Sequence, residues 1–306
     1  MFKLSRRALL AATTLTVATR VLPGFAAPAP HRFRHGDFEV TVVSDGHLVL
    51  PVSFLAAGAP REERAALLKA AGQTGDNYHS PTNLTLVRKG DDLVLIDMGS
   101  GDRFMPTAGK LWENLKAAGI ETDKITKVVF THGHPDHLWG LLDEFDEVVA
   151  PDAEFHVAAA EWDFWFGDHA DRSLPPERAG FVTGARRRFE AIKDKVKMVK
   201  PGDDIVSGMS VVATPGHTQG HVSFALAGGD GMVVGGDVLT HPLISFAHPE
   251  WHPIADHVPD QAAATRKNLL DRLATDKSKL IGFHLPYPGV GVVERKGNAY
   301  RFVPAG

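Results

Sequence analysis

Directly after the apolar run Val128-Val129-Phe130 the chain reads Thr131-His132-Gly133-His134-Pro135-Asp136-His137. Three imidazoles and a carboxylate fall within six positions, and Gly133 and Pro135 stop the segment from continuing as ordinary strand or helix. Such a turn can aim His132 and His134 at one point and Asp136 and His137 at a neighbouring one. The chain has no cysteine, so any metal must be held by nitrogen and oxygen. Imidazole with carboxylate is the donor set that suits zinc and similar divalent ions. With His 16 in the composition some clustering is expected by chance, but not this ordering at the end of a buried strand.

The same pattern, an apolar strand ending in a polar residue, recurs elsewhere. Val211-Val212-Ala213-Thr214-Pro215-Gly216 leads to His217, Met232-Val233-Val234-Gly235-Gly236 to Asp237, Leu280-Ile281-Gly282-Phe283 to His284, and Leu93-Val94-Leu95-Ile96 to Asp97. Polar residues at strand ends, with glycines allowing tight turns, gather at one cleft edge of an α/β scaffold.

A chain of 306 residues that is 43% hydrophobic can bury one large core. Its net charge of −4, with no basic block, gives no surface for nucleic acid or anionic lipid. Residues 38–43 and 47–50 alternate like paired strands around Ser44-Asp45-Gly46, and 83–87 with 92–96 reads as a hairpin. Helices are expected near 61–71, 107–118, 137–144, 153–165, 177–193 and 260–273. Strands are expected at 127–130, 196–199, 210–213, 222–226, 232–234, 280–281, 291–294 and 300–303. Strands interrupted by helices in both halves predict two sheets covered by helices on their outer faces.

Residues 1–29 read as an export leader, since Arg6-Arg7 is followed by Leu9-Leu10 and a mildly apolar stretch before the Pro-rich junction. The pattern is similar to the twin-arginine signal for exporting folded proteins, so a periplasmic or secreted location is expected. No other stretch is long and apolar enough to span a bilayer, so the mature domain is expected to be soluble.

The motif His-x-His-x-Asp-His at His132 to His137 is followed in order by His217 in Thr-Pro-Gly-His-Thr-Gln-Gly-His, Asp237 in Gly-Gly-Asp, and His284. On these residues the mature region, 30–306, resembles the metallo-β-lactamase superfamily. The resemblance implies an α/β fold, an αββα sandwich of two mixed β-sheets flanked by helices. It implies that His132, His134 and His217 hold one divalent ion, that Asp136, His137 and His284 hold a second, and that Asp237 bridges them. Zinc is the expected metal, and manganese, cobalt and iron accept the same donors. Asp97 resembles the family's aspartate that orients a ligand histidine, and a turn-forming aspartate before Met98-Gly99 is its competing role. Two ions roughly 3.5–4 Å apart can share a hydroxide, and one ion can lower the pKa of bound water to about 7. Asp136 and Asp237 are the candidate catalytic carboxylates, Asp136 being placed to take or deliver a proton.

Asp237 narrows the resemblance, because the family's β-lactamases characteristically lack a bridging aspartate there whereas its lactonases, glyoxalase II and phosphotriesterase-like members have one. His284-Leu285-Pro286-Tyr287-Pro288-Gly289, the stretch Gly297-Asn298-Ala299-Tyr300-Arg301-Phe302 and Leu115-Lys116-Ala117-Ala118-Gly119 resemble the methyl parathion hydrolase branch. That branch implies export, a homodimer, an aromatic-walled pocket and action on lactones, aryl esters and organophosphotriesters. Lactone or ester hydrolysis on a small-molecule substrate is the expected task. One departure is Leu138-Trp139-Gly140, an indole where the branch carries small residues. Trp139, Trp162, Trp165 and Tyr287 are candidate pocket residues, with core packing and strand-end packing as their competing roles. His221, His241 and the histidines of 248–257 are expected beside the ligands or on the surface. Competing functions are β-lactam hydrolysis, a single-iron persulfide dioxygenase, and a non-enzymatic metal-binding or sensing protein. Glyoxalase II lacks support, since no basic cluster suits glutathione's carboxylates.

Overall fold

The computed structural model describes residues 28–305; the expected leader, 1–29, lies outside them save for Pro28 and Ala29. Two seven-stranded mixed sheets stack face to face. The first runs in sequence order: β1 (His31–His35), β2 (Phe38–Pro51), β3 (Asn77–Lys89), β4 (Asp92–Ile96), β5 (Lys127–Val129), β6 (Glu154–Ala158) and β7 (Val196–Val199). The second comprises β8 (Asp204–Val206), β9 (Met209–Ala213), β10 (Val222–Leu226), β11 (Met232–Val234), β12 (Lys279–Ile281), β13 (Val290–Lys296) and β14 (Ala299–Pro304), also laid out in order. The helices are α1 (Val52–Leu55), α2 (Arg61–Ala70), α3 (Leu111–Ala117), α4 (Pro135–Leu138), α5 (Ala159–Phe166), α6 (Asp168–Ser173), α7 (Ala179–Ile192), α8 (Ile244–Ala247) and α9 (Pro259–Asp276).

The layering follows from the period of two along each strand. In β4, Val94 and Ile96 point between the sheets to meet Phe224, Met232 and Val234. Leu93 and Leu95 point the other way, onto Leu111 and Leu115 of α3, Phe164 and Trp165 of α5 and Phe189 of α7. On the second sheet Val233 and Leu280 face Leu269, Leu270 and Leu273 of α9. The result is the αββα sandwich. No helix among the described residues is long and apolar enough to cross a membrane.

Four local expectations are corrected. Residues 38–50 form not a hairpin but one strand, β2, with a bulge between Ser44 and Gly46. Gly46 takes φ +108 there, and its neighbour Asp45 turns fully inward to accept the N–H groups of Ser100, Gly109 and Leu111 at 2.9, 3.2 and 2.7 Å. Those bonds delay the helix expected from 107, which starts at Leu111. The helix expected over 153–165 splits: Glu154–Ala158 is drawn into the sheet between β5 and β7, and only then does α5 begin. Tertiary pairing has overridden helical spacing. The helix expected to run to 144 stops by Leu141, because Leu142 turns extended to pair with Val148. The edge strands β1 and β8 were not anticipated from the sequence.

Candidate metal centre

Strands β4 and β5 run parallel, as do β11 and β12, and β9 shares the direction of β11 because both are antiparallel to β10. The C-terminal ends of these strands, which carry Asp97, His132 to His137, His217, Asp237 and His284, therefore meet along one edge of the sandwich. There the side chains form two groups: His132, His134 and His217 in one, Asp136, His137, Asp237 and His284 in the other, with one donor atom per residue lying within 4.8 Å of the rest of its group. All seven residues are buried. His134 Nδ1 lies 3.0 Å from both His132 Nε2 and His217 Nε2. Asp237 touches both groups, with Oδ2 3.3 Å from His217 Nε2 and 3.2 Å from His284 Nε2, and Oδ1 3.1 Å from His137 Nε2.

Each of the five imidazoles has its outer nitrogen bonded to something other than the cluster. Asp97 Oδ1 accepts the Thr131 N–H, and its Oδ2 accepts the Thr131 hydroxyl at 2.7 Å and His137 Nδ1 at 2.8 Å. With its hydrogen committed to Asp97, the Thr131 hydroxyl is left to accept from His132 Nδ1 at 3.1 Å. His217 Nδ1 donates to Asp256 at 2.8 Å, His284 Nδ1 to the Pro81 carbonyl at 2.8 Å, and His134 Nε2 meets His257 Nε2 at 3.0 Å. For His132, His137, His217 and His284 the tautomers follow from this network, since with the outer nitrogen donating the inner one carries a lone pair; the His134–His257 pair can donate in either direction. Five imidazole nitrogens and two carboxylates then point inward, and His137 Nε2, Asp136 Oδ2 and Asp237 Oδ1 are buried with no hydrogen-bond partner. Such a set fits two divalent cations, and N···N separations near 3 Å are what metal–nitrogen bonds of about 2.0–2.1 Å leave behind.

The two groups differ electrostatically. Burial and repulsion by neighbouring imidazoles drive His132 and His134 well below the usual imidazole range, so these two are neutral. In the second, burial alone would lower His284, but Asp237 and Asp136 push it up to about 10; the same carboxylates, with Asp97, hold His137 well above its ordinary value. A cation placed there takes over the role of those protons.

Asp97 is hydrogen-bonded to His137 Nδ1 at 2.8 Å and takes a left-handed backbone, at φ +64, directly after β4. The four candidate pocket residues lie elsewhere. Trp165 is fully buried in the helix-facing core, where its Nε1 donates to Glu161 at 2.6 Å. It sits directly behind Gly133, where a Cβ would come within 2.3 Å of the indole nitrogen. Trp162 stacks on Phe166 and leans on Phe189. Trp139 packs behind Phe104 and Phe181, with the Arg188 guanidinium over its ring. Tyr287 ties the C-terminal loop to β2 through the Val42 carbonyl. The aromatic groups that do face the site are Phe54, Phe104 and Phe181, which line a cavity of about 160 Å³ with Leu48, Leu50 and Met105, above His134, Asp136, His217, Asp237 and His284.

Two positioning residues escaped the sequence reading, Glu161 and Asp256, and a third, His221, was placed beside the site without its role. Glu161, buried in α5, accepts Gly133 N–H and Trp165 Nε1 on Oε1 and the Thr218 hydroxyl and Gly220 N–H on Oε2, clamping the two turns that carry His132, His134 and His217. A charged residue inside the aromatic helix 159–166 was the available signal. Asp256, held on its far oxygen by Arg266 at 3.0 Å, fixes His217. His221, anticipated only as a neighbour of the site, accepts the Asp237 N–H at 3.0 Å and so places the turn that presents Asp237. Its other nitrogen meets Thr214 Oγ1, which continues to Ser223 and the Gly235 carbonyl. Gly236 passes this ring so closely that a Cβ would meet His221 Nε2 at 2.7 Å.

Residues 78–284 match the Metallo-beta-lactamase superfamily, and the chain belongs to that family. It is 30% identical over 190 residues to the probable metallo-hydrolase YqjP of Bacillus subtilis, a match covering 52% of this chain and 59% of that protein. The chain spans 56–69% of the length of the curated relatives it matches, among them the probable metallo-hydrolase Rv2300c of Mycobacterium tuberculosis at 57%. Among solved structures it is similar to AidC, a dizinc quorum-quenching lactonase in complex with a product, N-hexanoyl-L-homoserine, with TM-score 0.85 and 26% identity over 91% of this chain and 98% of that one. It is also similar to hydrolase AbOPH, with TM-score 0.83 and 28% identity over the same shares, 91% and 98%.

Proposed function

We propose that the protein is an exported hydrolase that binds two divalent cations, zinc foremost, and opens lactones or cleaves aryl and carboxylic esters. The observation that carries this reading is the position of Asp237, whose carboxylate lies against His217 of one group and His137 and His284 of the other. A carboxylate shared between two ligand groups is what a paired-cation centre needs. The likeness to a dizinc lactonase bound to its product supports the substrate class, and the arginine pair at Arg6-Arg7 supports export.

When bound, such cations supply Lewis acidity, which makes water nucleophilic at neutral pH and polarises the electrophilic oxygen. His132, His134 and His217 would hold one; Asp136, His137 and His284 the other, with Asp237 between them. The chain's own contributions are distinct. The outward hydrogen bonds to Thr131, Asp97, Asp256 and the Pro81 carbonyl hold His132, His137, His217 and His284 in the tautomer that offers a lone pair inward, which preorganises the donors. Asp136 lines the cavity with Oδ2 unpartnered, placed to accept a proton from the attacking water and return it to the leaving oxygen. The apolar lining of Leu48, Leu50, Phe54 and Phe181 excludes water and takes the organic part of the substrate.

The test is a panel of a lactone, an aryl ester, a β-lactam and a phosphotriester, run on metal-analysed protein beside Asp237→Ala. Lactone or aryl ester turnover that needs two ions per chain and disappears in the variant is the expected result. Robust β-lactam turnover with the others inert would reverse the substrate assignment, and a single iron per chain would reverse the reaction class.

A further inference from the structure

Arg178 closes the turn Pro176–Arg178 that leads into α7, and it lines the cavity shared with His134, Asp136, Asp237 and His284. It is only 9% exposed. Other arginines of the fold with buried guanidinium groups are satisfied: Arg188 donates to the Trp139 carbonyl, and Arg266 to Val238, Pro249 and Asp256. Among the described residues the Arg178 guanidinium has neither a hydrogen-bond acceptor nor an ion-pair partner. Its neighbour is the Phe54 ring, 5.5 Å from the guanidinium carbon, which offers cation–π attraction but no countercharge. Asp256 is the carboxylate whose field reaches it, yet both Asp256 oxygens are already taken, Oδ1 by His217 and Oδ2 by Arg266. Asp136 and Asp237 belong to the ligand groups.

An arginine stays charged in a site like this; its nitrogens still reach the cavity, but with most of the side chain buried its charge is only partly solvated and is better satisfied by an anion. A neutral carbonyl would occupy one of its donors and leave the charge standing. A carboxylate satisfies both, through two parallel N–H···O bonds. The rest of the lining is mostly apolar, so an anionic group entering the cavity finds its partner at this wall.

We propose that the substrate of this site is an ester or lactone bearing a second, anionic group, a carboxylate, which Arg178 holds while the scissile group lies over the paired ligand clusters. The proposal rests on the hydrolase reading above and adds the substrate's charge to it. Arg178 then selects the substrate rather than assisting the bond cleavage.

The experiment compares two esters with one leaving group and similar acyl length, mono-4-nitrophenyl glutarate and 4-nitrophenyl pentanoate, on the metal-loaded full chain. Charge-assisted hydrogen bonds of this kind correspond to a preference of about 10- to 100-fold in kcat/KM for the glutarate. In Arg178→Met the glutarate-to-pentanoate ratio falls at least about tenfold, through KM, and Arg178→Lys recovers part of it. Equal kcat/KM for the two esters in the wild type overturns the proposal, and so does an Arg178→Met variant that keeps the wild-type ratio. Should Arg178→Met not fold, the wild-type ratio and Arg178→Lys decide. If neither ester is hydrolysed, the ester-hydrolase reading itself fails; if both are hydrolysed without preference, that reading stands and only the role of Arg178 falls.

Discussion

On the floor of the cavity every candidate ligand follows a strand end, and the outer nitrogen of each imidazole is bonded to a further group, the buried Thr131, Asp97 or Asp256 or the half-buried His257 or Pro81. The roof is made differently. Leu48, Leu50, Phe54 and Leu55 come from the end of the long β2 strand and from α1, an uncapped helix of 4 residues, and of these Leu50 and Leu55 belong to a satellite cluster with Leu68, Ile244 and Trp251. Backbone bonds tie this arm down at a few points, Val52 to Asp76, Ala57 to His252 and Ile254 to Phe54. The floor is specified by directional bonds among buried polar groups, which are costly to leave half-made. The roof is specified by apolar contact, which tolerates substitution. Chemistry that needs fixed donors is thus separated from recognition, which can vary.

If that contrast holds, the largest effect comes from removing the shared carboxylate. Asp237→Ala should lower kcat/KM for ester or lactone hydrolysis by about a thousandfold or more, since Lewis-acid stabilisation of this kind amounts to several kcal/mol. Elemental analysis should show fewer than two ions per chain. A variant that keeps its rate and metal content would dissolve the distinction between floor and roof.

Trp165→Ala comes next. A fully buried indole behind Gly133 is worth about 3–5 kcal/mol of folding stability. Denaturant unfolding measures it, and a loss below about 1 kcal/mol would return Trp165 to the list of pocket residues.

The clamp residues should act on metal binding without touching substrate. Glu161→Gln and Asp256→Asn are each expected to weaken cation affinity by about 10- to 100-fold, read by competition with a chelating dye. For Glu161→Gln the reason is that an amide nitrogen must then face two of the four donors. Unchanged affinity in both would mean that the ligand turns hold themselves.

The smallest effect is reserved for the roof. Leu50→Ala should raise KM several-fold, about 3- to 10-fold, with kcat and metal content near wild type, as expected for losing one apolar contact. A collapse of kcat instead would tie the arm to the reacting centre and blur the two regions into one.

Much of the floor was legible before any coordinates. His132, His134, Asp136, His137, His217, Asp237 and His284 could be named because each follows a short apolar run and a turn residue, both local signals. The aromatic pocket was misassigned for a reason equally physical. Trp139, Trp162 and Trp165 lie near the ligand motif or in one dense helix, but which face of that helix meets the cavity depends on how α5 and α7 seat on the sheet. The arm that does roof the site is separated from the ligands by tens of residues, so nothing local marked Phe54 or Leu50 for it. The split of residues 153–165 into strand and helix was likewise decided by partners, since β6 forms only between β5 and β7.

The chain by itself therefore determined the donor atoms and the order in which they appear, because turns after buried strands are written in neighbouring residues. Only the folded chain decided what stands behind those donors and above them. Glu161 reaching both ligand turns, Asp256 meeting His217 and Arg178 facing an apolar wall are all contacts across long separations, and their existence depends on the packing of layers that no single segment encodes.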